Sequence, residues 1–99
     1  MNRGNFTVME LADISVQHMT KEDFDKLSGA SRPFMIATYD EGFIMYVPHF
    51  MSVKEIEYEL LQYGLSEHFV KLFKRLRRME IPYVRFDLAA PLVPGLKRF

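Results

Sequence analysis

Residues 34–47, FMIATYDEGFIMYV, contain two apolar runs separated by Asp40-Glu41-Gly42. Ile, Val, Phe and Tyr favour extended structure, so this pattern predicts a β-hairpin. We expect an aspartate close to a glycine to supply the left-handed backbone that a tight hairpin loop needs. Both faces of the hairpin are apolar, whereas a sheet with helices on one side has one polar face. The second apolar face therefore predicts a cover, which could be the C-terminal tail, a second subunit or a partner protein.

Elements before the hairpin are predicted from alternation and capping signals. Residues 6–16, FTVMELADISV, alternate in part and predict a first strand. Thr20 followed by Asp23 resembles a capping box, in which the threonine hydroxyl accepts from a backbone N–H and the carboxylate reaches back. We predict a short helix over residues 21–27, and a loop at residues 31–33 that leads into the hairpin.

After the hairpin the pattern predicts two helices and a strand. Ser52 and Glu55 have the spacing of a full capping box, and Gly64 is placed to end that helix in a left-handed conformation. Ser66 then begins a helix that extends to about Met79, and residues 83–88 alternate as a final strand. The inward positions of the last helix are expected to be Phe69, Leu72, Phe73 and Leu76.

This order of elements predicts an α+β fold. The order is a strand, a helix, two strands, a pair of helices and a final strand. It corresponds to a ferredoxin-like βαββαβ arrangement, with an antiparallel sheet and helices on one face. The chain has 99 residues, of which 48% are hydrophobic, enough to form one domain, residues 1–99, with its own core.

Composition narrows the classes of protein. The chain has no cysteine, which excludes disulfides and thiolate metal sites and fits a reducing cytoplasm. The N-terminal residues lack a signal-peptide pattern, and no apolar stretch approaches the ~20 residues needed to cross a bilayer. We therefore expect a cytoplasmic protein without a membrane segment.

Residue types that support catalysis occur without a supporting spacing. His18, His49 and His68 lie in three separate segments and do not form an HxxxH or HExxH pair. The residue types of a catalytic triad are present, with His18 as the base, Asp13 as its orienting carboxylate and Ser15 or Thr20 as the nucleophile. Their spacing along the chain, however, gives no geometric support for a triad. We expect no catalytic residue, metal or cofactor, and therefore a protein that is not an enzyme.

Charge is divided unequally along the chain. Residues 1–60 contain five Lys/Arg and ten Asp/Glu, whereas residues 61–99 contain eight and three, so that net charges of −5 and +5 cancel. Four cations of the last helix share one helical face, which we call the basic ridge: Lys71, Lys74, Arg75 and Arg78. The ridge is either a solvated face or a contact for phosphates or an acidic protein surface. Residues 41–46 keep only the glycine and first aromatic of an RNA-recognition motif, which disfavours sequence-specific RNA binding.

Three segments in chain order carry a resemblance to a known family. They are residues 14–20 (ISVQHMT), residues 41–48 (EGFIMYVP), and residues 84–87 (VRFD) followed by residues 92–96 (LVPGL). The pattern resembles a family of small, uncharacterised bacterial proteins, with IST-x-H-IT, GWF-x-x-VP and FD-x-DG segments, encoded on plasmids, phages and integrative elements. Phe43 stands where the family tends to have Trp. Residues 88–90 (LAA) occupy the position at which the family has an Asp-Gly turn. The resemblance implies an accessory gene of a mobile element.

Two functional hypotheses follow. The first is a non-enzymatic protein-binding module that inhibits or modulates a host system, for example as an anti-CRISPR or other anti-defence protein. Seven methionines, nine phenylalanines and five tyrosines supply an adaptable contact surface, for which we select Tyr39, Phe43, Met45 and Tyr46. The alternative is a nucleic-acid-binding accessory or regulatory protein that uses the basic helix at residues 71–78. A homodimer that closes over the free sheet face is also expected.

Overall fold

A computed structural model describes residues 2–29 and 32–99 of the chain. Their elements are β1 (Asn2–Arg3), β2 (Phe6–Thr7), β3 (Leu11–Ser15), a 3-10 helix (Val16–His18), α1 (Lys21–Leu27), β4 (Met35–Tyr39), β5 (Gly42–Tyr46), α2 (Val53–Gln62), α3 (Glu67–Arg78) and β6 (Tyr83–Asp87). The α+β class, the hairpin, the helices and the final strand are thus confirmed. The loop expected at residues 31–33 includes Ser31, which lies outside the described residues.

The main sheet is mixed, so the prediction of an antiparallel sheet was wrong. Its strand order is β3-β6-β5-β4, and β6 runs parallel to β3 but antiparallel to β5. The ferredoxin-like strand order is not confirmed. Parallel neighbours need a long crossover connection, and in this chain everything between β3 and β6 forms that connection. Local alternation could not predict it, because alternation does not tell which distant strand lies beside β3.

The three helices build the core on one face of this sheet. Phe24 of α1 packs on Phe43 of β5 with ring centroids 5.8 Å apart. Phe69 of α3 packs on Phe86 of β6 at 5.6 Å. The four inward residues predicted for α3 are all buried, as are Ile56 and Leu60 of α2.

The hairpin forms where predicted, but for a different reason. Asp40 and Glu41 make a two-residue loop, and Gly42 is already the first residue of β5. None of these three residues has a positive φ, so the expectation of left-handed backbone at this turn was wrong. Gly42 is needed for close approach instead, because an added Cβ would lie 1.9 Å from the carbonyl oxygen of Phe86.

Helix capping follows the sequence signals closely. Ser52 and Glu55 form the reciprocal capping box of α2, with distances of 3.1 Å and 2.8 Å. Gly64 follows α2 with a φ of +93°, as a left-handed terminator should. Ser66 accepts a hydrogen bond from the amide of Phe69 and so caps α3.

Asp23 departs from its predicted role. The amide of Asp23 donates to the Thr20 hydroxyl at 3.0 Å, which caps α1 as expected. The Asp23 carboxylate, however, accepts from the amide and the hydroxyl of Ser66, at 2.9 Å and 2.5 Å, and is only 2% exposed. The reciprocal half of the predicted capping box was therefore wrong: Asp23 ties α1 to the start of α3.

The C-terminal tail is held on the helix side of the sheet by His18. Nε2 of this fully buried imidazole accepts from the amide of Val93, and Nδ1 donates to the carbonyl of Lys97, both at 2.8 Å. Val93 and Leu96 pack against the core. The tail thus makes its described contacts beside the 3-10 helix and α3, so it does not cover the second hairpin face, and the other two covers considered, a second subunit or a partner protein, stay predictions.

We predict that Asp23→Ala lowers the free energy of unfolding by about 1–3 kcal/mol, because it leaves two half-buried donors of Ser66 without their acceptor. Asp25→Ala is the matched control on the same helix. Asp25 makes an exposed ion pair with Lys21 at 3.1 Å, and its loss should cost less than about 1 kcal/mol. Urea denaturation measures both values. Equal losses for the two variants would contradict the role of Asp23.

Candidate functional site

The candidate site is the face of the main sheet that points away from the helices, which we call the outer face. Strand register places its residues in three rows across the sheet. The rows are Leu11, Tyr83 and Tyr46; Asp13, Arg85, Ile44 and Ala37; and Ser15, Asp87, Gly42 and Tyr39. Each row combines residues from strands that are far apart in sequence.

The middle row contains a two-pronged ion pair. Nε and Nη2 of Arg85 donate to Oδ1 and Oδ2 of Asp13, each at 2.8 Å. This geometry holds both planar groups in one orientation. Hydrogen bonds from Arg85, together with its charge, lower the pKa of Asp13, although partial burial opposes the shift. The same bonds raise the pKa of the Arg85 guanidinium.

The third row contains a second fixed carboxylate. The Tyr39 hydroxyl donates to Oδ2 of Asp87 at 2.5 Å, and the amide of Ala89 donates to Oδ1 at 2.7 Å. Gly42 lies between Tyr39 and Asp87 in the row, so the tyrosine can reach across a position that has no side chain. The two hydrogen bonds lower the pKa of Asp87. The pKa of Tyr39 is raised to about 12. The largest cause is the partial burial of its hydroxyl, followed by the hydrogen bond to Asp87 and by the negative charge of Asp87.

The first row borders a cluster of aromatic rings. The Tyr46 ring lies 5.9 Å from Tyr83 and 6.3 Å from Phe50, measured between centroids. Its hydroxyl lies 3.0 Å from Nδ1 of His49. Phe50 is 72% exposed, so the cluster ends in a large apolar side chain in solvent.

The structure separates the residues selected for protein contact. Tyr39 and Tyr46 lie on the outer face, Tyr39 being 38% exposed. Phe43 and Met45 point the other way, into the core beneath the helices, and are at most 1% exposed. Their selection as contact residues is therefore corrected: a partner of the folded chain cannot reach them.

Sequence reasoning missed the residues that β6 and its neighbours bring to the same face. Tyr83, Arg85 and Asp87 alternate along β6, which was a visible signal. Their partners Asp13 and Tyr39 come from two other strands, and only the register joins them. Phe50 lies in the loop after β5, where no periodicity indicates its direction.

The basic ridge is only partly free. Lys74 forms an ion pair with Glu57 of α2 at 3.3 Å, and its side chain is 18% exposed. Arg77 donates to the carbonyls of Met51 and His49 and holds the loop after β5. Lys71, Arg75 and Arg78 are exposed and form no ion pair with any other described residue.

The residues considered for a catalytic triad do not converge. Asp13 is bound to Arg85, His18 holds the tail, Ser15 accepts from the amide of Gln17, and Thr20 caps α1.

Within residues 2–29 and 32–99, no three His, Cys, Asp or Glu side chains are grouped to hold a metal ion. No helix in that part of the chain is long and apolar enough to cross a membrane.

Over the residues that the structure describes, the fold and this face define a small α+β domain with a mixed four-stranded sheet, three α-helices on one side and an aromatic and charged face on the other. Residues 11–99 match the C-terminal domain of a family of unknown function, DUF5983, and the chain belongs to this family. No curated protein and no solved structure matches the chain. The matched span begins at β3 and includes the whole main sheet. An origin in bacterial mobile elements stays a prediction.

We predict that Tyr39→Phe raises the pKa of Asp87, because the variant removes a hydrogen bond to the charged carboxylate. A carboxylate with a lowered folded pKa stabilises the fold above its unfolded pKa of about 4, and this contribution is lost as the pH falls through the folded value. The variant should therefore be less stable than the parent chain at pH 7, and its stability should depend less on pH in the acid range.

Carbon-detected NMR titration of the Asp87 carboxyl group measures the first effect, and denaturation at several pH values measures the second. Tyr58→Phe, at an exposed position of α2, is the control. An Asp87 pKa that is the same in both variants would contradict the assignment.

Proposed function

We propose that the chain is a non-enzymatic protein-binding module whose outer face contacts the partner. The observation that carries the proposal is the outer face itself, where aromatic rings and fixed charges adjoin. The side-chain hydrogen bonds and ring contacts described for Tyr46, Tyr83 and Arg85 are with residues of this face and its bordering loop. Phe50 extends from the same cluster into solvent.

The residue types on this face favour a protein partner. Tyrosine and arginine are enriched where protein interfaces bury most binding energy. The paired hydrogen bonds of Arg85 and the bond from Tyr39 fix these side chains before binding. A face that is already ordered loses less conformational entropy when a partner docks.

The charged groups support a non-enzymatic role. Both oxygens of Asp13 accept from Arg85, and both oxygens of Asp87 accept from Tyr39 and Ala89. A general base needs a lone pair directed at its substrate. Each oxygen of these carboxylates already has a fixed partner, and the lowered pKa of Asp13 and of Asp87 makes both groups weaker bases.

On the resemblance described above, we extend the proposal to a cytoplasmic accessory protein of a mobile element. Its partner is then a protein of the host or of the element, and its effect is to inhibit or modulate a host system of the anti-defence type, including anti-CRISPR. A bacterial strain that carries an active CRISPR or restriction system and expresses the chain should lose part of its protection against phage. Unchanged protection in both systems would count against this extension.

A site-specific cross-linker tests the contact surface directly. We predict that a photoreactive phenylalanine at position 50 cross-links a defined protein in bacteria, whereas the same group at position 58 does not. Phe50 borders the outer face and Tyr58 lies on α2, and both side chains are highly exposed, at 72% and 62%. A product of twice the chain mass would identify the partner as a second copy and thus a homodimer.

Equal cross-linking from the two positions, or cross-linking from position 58 alone, would exclude the outer face as the contact surface. Nuclease treatment before the analysis separates a protein contact from one mediated by nucleic acid. The mass of the product and its peptides then name the partner.

A second candidate function is nucleic-acid binding by the basic ridge, which the three exposed cations Lys71, Arg75 and Arg78 favour. Cations on one helical face can contact successive phosphates, and such binding weakens as salt is raised. Arg75→Glu with Arg78→Glu should abolish a salt-sensitive shift in the fluorescence polarisation of labelled DNA or RNA. Lys21→Glu with Lys54→Glu is a control of equal charge change on α1 and α2. Equal loss in the control would indicate only a general charge effect.

A further inference from the structure

The outer face carries an excess of negative charge at its hairpin end. Asp13 and Asp87 lie in its rows, and the loop after Tyr39 adds Asp40 and Glu41, both exposed. The carbonyl of Glu41 accepts from the amide of Leu88 at 2.9 Å, which keeps this loop beside the end of β6. Among the residues described in these rows and this loop, Arg85 is the opposing cation, and its charge is matched by Asp13.

The two loop carboxylates are available to a partner. Asp40 and Glu41 make no side-chain hydrogen bond or ion pair with other residues in the described part of the chain. Asp87 is different, since Tyr39 and Ala89 satisfy it. A cation that approaches the hairpin end of the outer face can therefore contact the solvated carboxylates of Asp40 and Glu41. It is also attracted by the negative charge of Asp87, whose carboxylate is held in place by its hydrogen bonds.

The opposite end of the face offers rings. Tyr46, Tyr83 and Phe50 form one cluster with centroid separations of 5.9 Å and 6.3 Å. Aromatic faces accept apolar side chains and also guanidinium groups, which are attracted by the ring electrons. The outer face thus presents carboxylates at its hairpin end and aromatic rings at its opposite end.

We propose that the outer face recognises a protein segment that has arginine or lysine at one end and apolar side chains at the other. This inference rests on the proposed function, since it names the chemistry of the partner that binds the same face. Charge complementarity selects the cations, and the ring cluster selects their apolar neighbours. The same negative charge disfavours nucleic acid on this face, because phosphates would be repelled.

The experiment uses the full chain, labelled with nitrogen-15, and three short synthetic peptides of equal length. The first has arginine at one end and leucine and tyrosine at the other, the second has glutamate in place of arginine, and the third has serine in place of the apolar residues. The first peptide should shift amide signals of β5, β6 and the hairpin loop, and its affinity should fall as salt is raised. The other two should bind at least tenfold more weakly.

A pair of variants tests the charge directly. Asp40→Asn with Glu41→Gln should weaken the first peptide about threefold to tenfold, as expected for the loss of two exposed charge contacts. Glu22→Gln with Glu59→Gln removes the same charge from α1 and α2 and should leave the affinity unchanged. Both variants change exposed side chains, so the fold is expected to persist.

Other outcomes overturn the inference in separable ways. If the glutamate peptide binds this face as tightly, or if the loop variant keeps its affinity, the preference for cations is wrong although the face still binds protein. If the arginine peptide shifts only signals of the helices, the outer face does not recognise this chemistry. Failure of the proposed function itself is read independently, from the cross-linking at positions 50 and 58.

Discussion

The pairing of β6 with two strands at once organises the main sheet and both of its faces. β6 lies parallel to β3 and antiparallel to β5, so residues 83–87 connect the beginning of the domain to its hairpin. Val84 and Phe86 are fully buried and give the helices a surface to pack on. Tyr83, Arg85 and Asp87 alternate with them and point to the outer face. Because side chains alternate strictly along a strand, a slip of one residue in β6 would exchange the core and the outer face.

Much of the secondary structure follows from local chemistry. Ser52 with Glu55, Ser66 with Phe69, and Gly64 act within one or two helical turns, and their positions were predictable. The hairpin was also predictable, although Gly42 serves close approach to Phe86 and not a left-handed turn. Such signals depend on neighbours in the chain, and the sequence displays those directly.

Long-range partners could not be predicted in the same way. Asp23 has the position of a local cap, yet its carboxylate binds Ser66, 43 residues away. His18 has the residue type of a catalytic base, yet its two nitrogens hold the backbone of the tail. In the candidate site, Tyr39 and Tyr46 were selected from the hairpin alone, whereas the face they share is completed by β3 and β6. The parallel register that joins β3 to β6 has no local sequence signal.

We propose that a partner covers the outer face when the protein acts. Oxidative footprinting of the chain inside bacteria, compared with the purified chain and read by mass spectrometry, would detect such a cover. We expect Tyr46, Tyr83 and Phe50 to be oxidised less in the cell than in isolation, and exposed Tyr58 on α2 to be oxidised to the same extent. Equal oxidation of the outer-face rings in the two states, with protection at Tyr58, would contradict it.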